Sequence, residues 1–473
     1  MNAVQPVAPA PVATSPAAAP AAASPAMNPR TRLLLHGPIL PTLLRLAWPN
    51  TLVMLAQASV GLIETWWVSR LGTDALAGIA VVFPGFMMMT MLSAGAMGGG
   101  ISSAIARALG ARRQADADAL VLHALVINGL LGLGFAVLFI ALGPAIYSAM
   151  GGEGASLQAA LRYSNVVFAG GVLLWLGNAL ASVLRGGGNM VLPSVAVISG
   201  VALLVPLSPL LIYGWGPVPG FGIAGAGYAV LLGSGLTLAV LTRAMLKGRS
   251  LARFRLAPLR WRMFADILGV GAVASVNTLQ TTLTVAMTTA LVAQAGGPEA
   301  VAGYGTGSRL EYLLVPLVFG LGAPLVALVG TNVGAGQRDR ALRIAMLGGA
   351  VAFALTETVG LAAAIWPQAW LGLFGDEPVM LSTGADYLRR VGPTYGFFGL
   401  GLALYFASQG AGKLFWPLVT SVVRMLIAVV GGWLALAATG SLGWVFVAVA
   451  AGMVVYGASL GALVGGGAWF RGR

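Results

Sequence analysis

The chain has 473 residues, of which 58% are hydrophobic and only 8% charged, whereas a soluble domain carries roughly 25% charged residues. No soluble core of this size could bury so much apolar surface, so a soluble fold is excluded and a membrane protein is predicted. The formal charge of +13 would suggest a nucleic-acid partner in a soluble protein. We expect none here, because the basic residues lie in short loops between apolar segments.

The first 28 residues are mostly Ala, Pro, Val, Ser and Thr, and they lack the basic start and apolar core of a signal peptide. We predict that residues 1–38 form a disordered cytoplasmic tail. Beyond the tail, apolar stretches long enough to cross a bilayer alternate with brief polar loops. They predict twelve transmembrane helices, near residues 43–68, 78–106, 120–147, 160–184, 191–213, 223–246, 264–293, 302–333, 342–370, 381–409, 416–438 and 442–469.

Lys and Arg residues are distributed very unevenly between alternate loops. Of the 26, twenty fall on one side of the predicted membrane, and only Arg70, Arg162, Arg389 and Arg390 fall on the other. Basic residues are retained on the cytoplasmic side of a membrane. The asymmetry therefore predicts a multi-pass protein of a bacterial inner membrane with both termini cytoplasmic. It also supports the count of twelve helices, because a missed helix would mix the basic residues of the two sides.

The sequence also repeats itself with a shift of 224 or 225 residues, which predicts two halves of six helices that enter the membrane from the same side. The predicted fold is an all-α integral membrane protein of two pseudo-symmetric six-helix bundles, residues 39–247 and 263–473, joined by a basic cytoplasmic linker at 248–262. The recurring elements are Asp74-Ala-Leu-Ala-Gly78 with Glu299-Ala-Val-Ala-Gly303, Gly151-Gly-Glu153 with Gly375-Asp-Glu377, Tyr163 with Tyr387, and Gly186-x-Gly188 with Gly410-x-Gly412.

The same elements carry a resemblance to a known family. The chain resembles the multidrug and toxic compound extrusion antiporters, in the branch similar to DNA-damage-inducible protein F. The resemblance implies alternating-access export of amphipathic, cationic small molecules, driven by inward flow of protons or sodium, by a monomer with no other cofactor. It is carried by Leu46-Ala-Trp-Pro49, Leu62-Ile-Glu64-Thr, Ala302-Gly-Tyr304-Gly305-Thr-Gly-Ser308-Arg309-Leu-Glu311 and Val329-Gly330-Thr-Asn332-Val-Gly334-Ala-Gly336.

One departure from the family bears on the coupling ion. Many members carry Asn and, four residues later, Asp before a proline in the fifth span, and these form a cation site with an acid of the first span. The matching residues here are Leu204 and Ser208, before Pro209, and the first-span acid is Glu64. This departure from the family pattern puts sodium coupling in doubt and favours coupling to protons, with sodium-coupled export as the alternative.

Three carboxylates lie at membrane depth, where a charge costs about 2.5–3.5 kcal/mol and is a default functional candidate. They are Glu64, Glu311 and Glu357, and none has an acidic counterpart at the repeat shift. We predict that Glu64 is the ion-coupling residue, because burial disfavours its charged form and lets small changes switch its protonation. The alternative is a packing role with hydroxyl or backbone partners. Glu357 is predicted in the substrate cavity, with a water-filled site or an ion pair as the alternative.

Other polar residues inside the spans complete the candidate set. Arg309 and Glu311 are two positions apart, so they point to different faces of a helix and each needs another partner. With Arg424 we predict a buried charged network, whose role is either structural or in transport. Asn277, Gln280 and Thr281 of the seventh span and Asn178 of the fourth are predicted to line the substrate cavity, although such groups also join helices to each other.

No constellation for enzyme chemistry is present. Gly220-x-Gly222-x-x-Gly225 matches a dinucleotide fingerprint in letters only, because it lies in a short loop and follows no strand of a βαβ unit. The two histidines, His36 and His123, are too far apart to predict a metal site, and cysteine is absent. A flippase for lipid-linked precursors and a passive channel stay open as alternatives. Carboxylates outnumber bases inside the spans three to two, which favours cationic cargo.

Overall fold

The computed structural model describes residues 27–471, without the side chain of Tyr312. Within this range the backbone is helical apart from turns, loops and one isolated bridge between Trp215 and Val218. A short helix, Pro29–His36, precedes the first span. The first six spans are Ile39–Ser69, Thr73–Gly110, Gln114–Ala149, the pair Gly154–Ala169 and Gly171–Gly186, Val191–Tyr213, and Ile223–Leu246.

The second half begins with a 74-residue helical element, Trp261–Gly334, which is broken at Gly297. Gly297 has φ 73°, a conformation that favours glycine, and Pro298 follows it, so residues 261–296 and 298–334 form separate spans. A short helix, Pro367–Leu371, follows the ninth span. The remaining spans are Arg338–Ile365, the pair Pro378–Val391 and Tyr395–Ala411, Phe415–Thr439, and Leu442–Gly465.

Nine of the described helices are long and apolar enough to cross a bilayer, or ten when the bent pair of span 4 counts as one. The element Trp261–Gly334 contains two spans, and the two helices of span 10 are each too short to pass that test alone. With these accounted for, the helices form the twelve spans expected. The predicted all-α, two-lobed fold is confirmed.

The two halves repeat each other in local detail. Glu153 is the N-cap of the first helix of span 4, and its backbone N–H donates to the hydroxyl of Ser156 at 3.2 Å. Glu377, 224 positions later, caps the first helix of span 10 and accepts hydrogen bonds from two backbone N–H groups. Both spans are interrupted at equivalent places: span 4 bends by 44° at Gly170, and span 10 passes through the 3-10 turn Gly392–Thr394. The recurring glutamates in the sequence are therefore helix caps.

The lobes meet through spans 2 and 8, in the half of the molecule that carries residues 247–262, which we call the basic side. A Cβ atom at Gly110 would collide with the backbone of Thr331, and one at Gly334 would collide with the backbone of Arg107. Arg107 and Thr331 are themselves related by the 224-residue shift. A methyl group at Gly330 would lie 2.8 Å from the Cβ atom of Ala106. Small residues thus bring the two helices into backbone contact.

Polar bonds from span 2 to spans 10 and 7 lie beside this contact. We call the contact of spans 2 and 8, together with these bonds, the seam. The Ser103 hydroxyl donates to the carbonyl groups of Gln409 and Gly410 at 2.5 and 3.0 Å. Arg107 forms an ion pair of 2.6 Å with Asp266 of span 7 and also donates to Ser103. Because these bonds join one lobe to the other near the basic side, the molecule is closed there.

The linker packs against span 3 on the basic side. The Asp118 carboxylate accepts the backbone N–H of Arg253 at 2.8 Å, and His123 Nε2 accepts that of Arg260 at 2.9 Å, so both fasten the linker to span 3. The boundaries assigned to the linker and lobes stay predictions.

The tail prediction needs a correction where the structure describes it. Residues 29–36 form a helix rather than disordered chain, because Asn28 caps it and two leucines, Leu34 and Leu35, are buried. The amide of Asn332 donates to the carbonyl oxygen of Leu34 at 3.0 Å. Residues 1–26 of the predicted tail lie outside the described residues.

The seam makes a testable prediction about Gly110. Replacing Gly110 with Leu forces the new side chain against the span 8 backbone, and overpacking of this kind costs about 1–3 kcal/mol. We expect seam opening to become about tenfold more frequent. The measurement is the maleimide labelling rate of Ala106→Cys, the sole thiol in a chain without cysteine and fully buried in the seam.

The control is Gly134→Leu, because a Cβ atom there meets nothing within 4 Å. Equal labelling rates in the two leucine variants would contradict a seam held by close backbone contact.

Candidate functional site

Glu64 lies where spans 1, 4 and 5 meet. The Ser208 hydroxyl of span 5 donates to Glu64 Oε2 at 2.9 Å, and Ser208 is fully buried. Tyr163 of span 4 interacts electrostatically with the same carboxylate. Glu64 Oε1 is buried and has no hydrogen-bond partner among the described residues. The carboxylate is therefore held at one oxygen and free to accept a proton at the other.

One of the two departures from the family pattern contacts this carboxylate directly. Ser208 replaces the usual second acid with a hydroxyl that donates to Glu64, so the position still contacts the first-span acid. Leu204, one turn earlier, is 8% exposed and offers no oxygen ligand. The family resemblance identified Leu204 and Ser208 as departures from the pattern. It could not show that Ser208 donates a hydrogen bond directly to Glu64.

Asn178 lies elsewhere in the N-terminal lobe. It is in the second helix of span 4, and its amide donates to the hydroxyl of Ser93 at 3.0 Å. Ser93 belongs to a π-helical turn of span 2, Met91–Met97, and such turns occur often at functional sites. The structure thus places Asn178 at the contact between spans 2 and 4.

The C-terminal lobe contains a partly buried ion pair between spans 8 and 11. Glu311 Oε1 lies 3.4 Å from Arg424 Nη2, and Glu311 Oε2 accepts the hydroxyl of Tyr387 at 3.3 Å. The Arg424 guanidinium also lies over the rings of Phe398 and Tyr456, at 5.0 and 5.7 Å. Such stacking suits arginine, whose planar group is weakly hydrated.

Arg309 does not belong to this network. Its side chain is exposed, and its guanidinium lies 5.8 Å from the ring of Phe374. The prediction that grouped it with Glu311 and Arg424 is wrong in this structure. The reason is the spacing: residues two apart point about 200° from each other on a helix, and only Glu311 faces span 11.

Aromatic residues of this network were missing from the candidate set. The ring of Tyr387 contacts those of Tyr304 and Phe446, with centroids 5.2 and 5.3 Å apart. One signal was available in the sequence, because Tyr387 is the repeat partner of Tyr163. In each lobe this tyrosine interacts with a membrane-depth glutamate: Tyr387 donates a hydrogen bond to Glu311 of span 8, and Tyr163 interacts electrostatically with Glu64 of span 1.

Glu357 accepts a hydrogen bond from span 10 just after the 3-10 turn that divides this span. Its Oε2 atom accepts the backbone N–H of Gly396 at 2.7 Å, at the start of the helix Tyr395–Ala411. The neighbouring Thr356 hydroxyl donates to the carbonyl of Tyr395 at 2.9 Å. A carboxylate at a helix N-terminus is stabilised by unpaired N–H groups and the helix dipole. No salt bridge of the described residues includes Glu357.

The polar residues of span 7 divide into two groups. Gln280 bonds reciprocally with Ser421 of span 11, since its amide donates to the Ser421 carbonyl at 3.1 Å and accepts the Ser421 hydroxyl at 2.6 Å. These bonds join helices. Thr281 donates to the carbonyl of Asn277 on its own helix. Asn277 Oδ1 is buried and accepts no hydrogen bond from any described residue. Of Asn277, Gln280 and Thr281, Asn277 therefore has the side-chain oxygen that is free to accept a hydrogen bond.

Metal chemistry has no candidate cluster in residues 27–471: no group of three His, Asp or Glu side chains there could hold an ion.

The Glu311–Arg424 pair makes a prediction about stability. Arg424→Gln removes the cation and leaves Glu311 without a compensating charge. Because the pair is partly buried, the loss should be smaller than the roughly 3–5 kcal/mol that breaking a fully buried pair costs. Replacing both residues, Glu311→Gln with Arg424→Gln, removes the uncompensated charge and should recover most of that loss. Thermal unfolding of purified protein measures both variants.

A double variant that is as unstable as the sum of its single variants would show that the two side chains do not interact.

Comparison with known proteins agrees with the fold and the repeat. The sequence profile of the MatE family matches residues 49–210 and, separately, residues 272–434. An FAD transporter of Shewanella oneidensis is 29% identical over 422 residues, 86% of this chain and 89% of that protein. A probable multidrug resistance protein of Bacillus subtilis is 25% identical over 358 residues, 74% of this chain and 77% of that protein.

Solved structures agree as well. A crystal structure of MATE in the bent conformation superimposes with a TM-score of 0.86 at 25% sequence identity, over 94% of this chain and 98% of that one. The family profile covers most of this chain, once in each lobe. The chain therefore belongs to the MatE family, as a multi-pass membrane transporter of the multidrug and toxic compound extrusion type and not an enzyme.

Proposed function

We propose that this transporter is a proton-driven antiporter that exports amphipathic cations. The observation that carries the proposal is the state of Glu64, a membrane-depth carboxylate with one oxygen bound to Ser208 and the other unpartnered. The protein acts as a monomer in a bacterial inner membrane, with the basic side and both termini cytoplasmic, as the distribution of Lys and Arg indicates.

The balance of charge inside the spans supports cationic cargo. Glu311 is neutralised by Arg424, and Arg309 is exposed. Glu64 and Glu357 remain as membrane-depth acids without an ion pair among the described residues. Two uncompensated carboxylates give a negative potential that attracts cations and disfavours anions.

The transport cycle follows from the seam and Glu64. With the basic side cytoplasmic, the closed seam makes this conformation the outward-facing one. A proton from outside binds Glu64 Oε1, removes the negative charge that held the cation, and so lowers the affinity for the cargo. The lobes then part at the seam, the proton leaves to the cytoplasm, and the ionised carboxylate binds the next cation.

Protons fit this site better than sodium. Sodium is a hard cation and requires several oxygen ligands at once. Around Glu64 the neighbouring span offers the Ser208 hydroxyl, which is already bound to Oε2, whereas Leu204 offers a hydrocarbon surface. A proton needs only one acceptor, and Oε1 supplies it.

Flavin export is a second candidate, because the similar protein of Shewanella oneidensis is an FAD transporter. FAD carries two phosphates and is an anion, so it needs cationic side chains to bind. Of the two arginines predicted inside the spans, Arg424 is already paired with Glu311 and Arg309 is exposed. The charge balance therefore favours organic cations, and FAD is tested beside them.

The function is tested in proteoliposomes with an imposed pH gradient or an imposed sodium gradient. The wild type should move a fluorescent lipophilic cation on the pH gradient alone, and Glu64→Gln should abolish this transport because it cannot exchange a proton. Ser208→Ala should reduce it about tenfold, the effect of one hydrogen bond to a charged group. Glu299→Gln is the control, because Glu299 is exposed in the first turn of span 8.

Three results would contradict the proposal. Transport on the sodium gradient alone would overturn the assignment of the coupling ion. Full pH-driven transport by Glu64→Gln would exclude this residue as the coupling site. Transport of FAD with no transport of the cation would establish the flavin as the cargo.

A further inference from the structure

A groove on the outer surface of the N-terminal lobe has no part in the cycle described above. It has a volume of about 620 Å³ and lies between span 6 and Leu173 of span 4. The span 6 wall runs from Gly235 through Ala239 to Arg243 and Lys247. These residues recur every four positions, so they form one stripe along the helix.

The stripe faces away from the core of the lobe. Leu241 and Met245, on the other side of span 6, are buried in that core, and Thr237 bonds to span 5. Leu246, on the groove side, is 74% exposed. In a membrane protein, an exposed apolar surface of this kind contacts lipid. The groove therefore faces the bilayer.

The dimensions of the groove match one leaflet. From Gly235 to Lys247 the helix rises about 18 Å at 1.5 Å per residue, and half of the hydrocarbon core is about 15 Å thick. Gly235 leaves open space where a side chain would stand, since its Cβ atom would meet nothing within 4 Å. The apolar part of the groove is long and deep enough for an acyl chain.

The basic end of the groove carries two cations without partners. The side chains of Arg243 and Lys247 form no hydrogen bond or salt bridge with any described residue, and both are exposed. They lie one helical turn apart, where like charges repel. An anion between them would relieve this repulsion, and basic pockets at this depth are typical of phospholipid headgroup sites.

We propose that this groove binds an anionic diacyl phospholipid of the leaflet on the basic side. Arg243 and Lys247 hold the headgroup phosphate, and the surface from Leu238 to Gly235 and Leu173 holds an acyl chain. The site lies on the face of span 6 opposite to Leu241 and Met245, which are buried in the core of the N-terminal lobe.

The proposal is tested by native mass spectrometry of the full-length protein with dioleoylphosphatidylglycerol, dioleoylphosphatidylcholine or glycerol 3-phosphate added. The wild type should retain phosphatidylglycerol about tenfold more than phosphatidylcholine. Arg243→Gln with Lys247→Gln should remove this preference. The matched control is Arg45→Gln with Arg343→Gln, which removes the same charge from two other exposed sites on the basic side and should keep it.

A third variant tests the acyl chain. Gly235→Phe fills the groove but leaves both cations, so it should lower phosphatidylglycerol retention, and glycerol 3-phosphate should not bind to any of the proteins. Equal retention of the two lipids by the wild type would overturn the proposal. So would an equal loss of preference in the two double glutamine variants, which would indicate diffuse charge, or binding of glycerol 3-phosphate by the wild type, which would indicate a phosphate site without a lipid chain.

Discussion

The contact on which this architecture depends is the backbone approach of spans 2 and 8. In a bilayer, apolar helices gain little from leaving lipid for one another, so their association requires close packing and interhelical hydrogen bonds. Gly110 lies against Thr331 and Gly334 lies against Arg107, and these two contacts exchange under the internal repeat. The contact is therefore self-complementary, as at a twofold interface. Ser103 and the Arg107–Asp266 pair add polar bonds to a surface that is already close-packed.

The two lobes share a design but differ in charge. In each lobe a tyrosine of the fourth span interacts with a membrane-depth glutamate: Tyr163 electrostatically with Glu64, and Tyr387 through a hydrogen bond to Glu311. In the C-terminal lobe Arg424 compensates the acid, whereas in the N-terminal lobe the one hydrogen bond that Glu64 accepts from a described side chain comes from the hydroxyl of Ser208. An acid held by a neutral donor can change its charge without leaving a buried cation unpaired. This difference is the physical reason for assigning ion coupling to the N-terminal lobe.

The features that the sequence could predict are those set by local pattern. Apolar runs of bilayer length predicted the spans, and the 224-residue shift predicted the lobes, because neither depends on a specific tertiary contact. The recurring Glu153 and Glu377 were also visible, since a helix cap acts within its own turn.

Features that depend on contacts between distant segments could not be predicted in this way. Ser208 is 144 positions from Glu64, and Gly396 is 39 positions from Glu357, so no spacing rule connects them. Hydropathy showed that a charged Glu357 is costly in the membrane. It could not show that the N-terminus of the second helix of span 10 donates a hydrogen bond to this carboxylate. The helix Pro29–His36 was missed because its stability comes from burying two leucines against other segments.

The most direct test of proton-driven alternating access through Glu64 is the distance between spin labels across the basic side, at Ala111→Cys and Asp339→Cys, in nanodiscs over a range of pH. Because the chain has no native cysteine, only these two positions are labelled. We expect a short-distance and a long-distance population whose proportions change with pH in the wild-type background and stay fixed in Glu64→Gln. A single short distance at every pH, or the same pH response with and without Glu64, would contradict this mechanism.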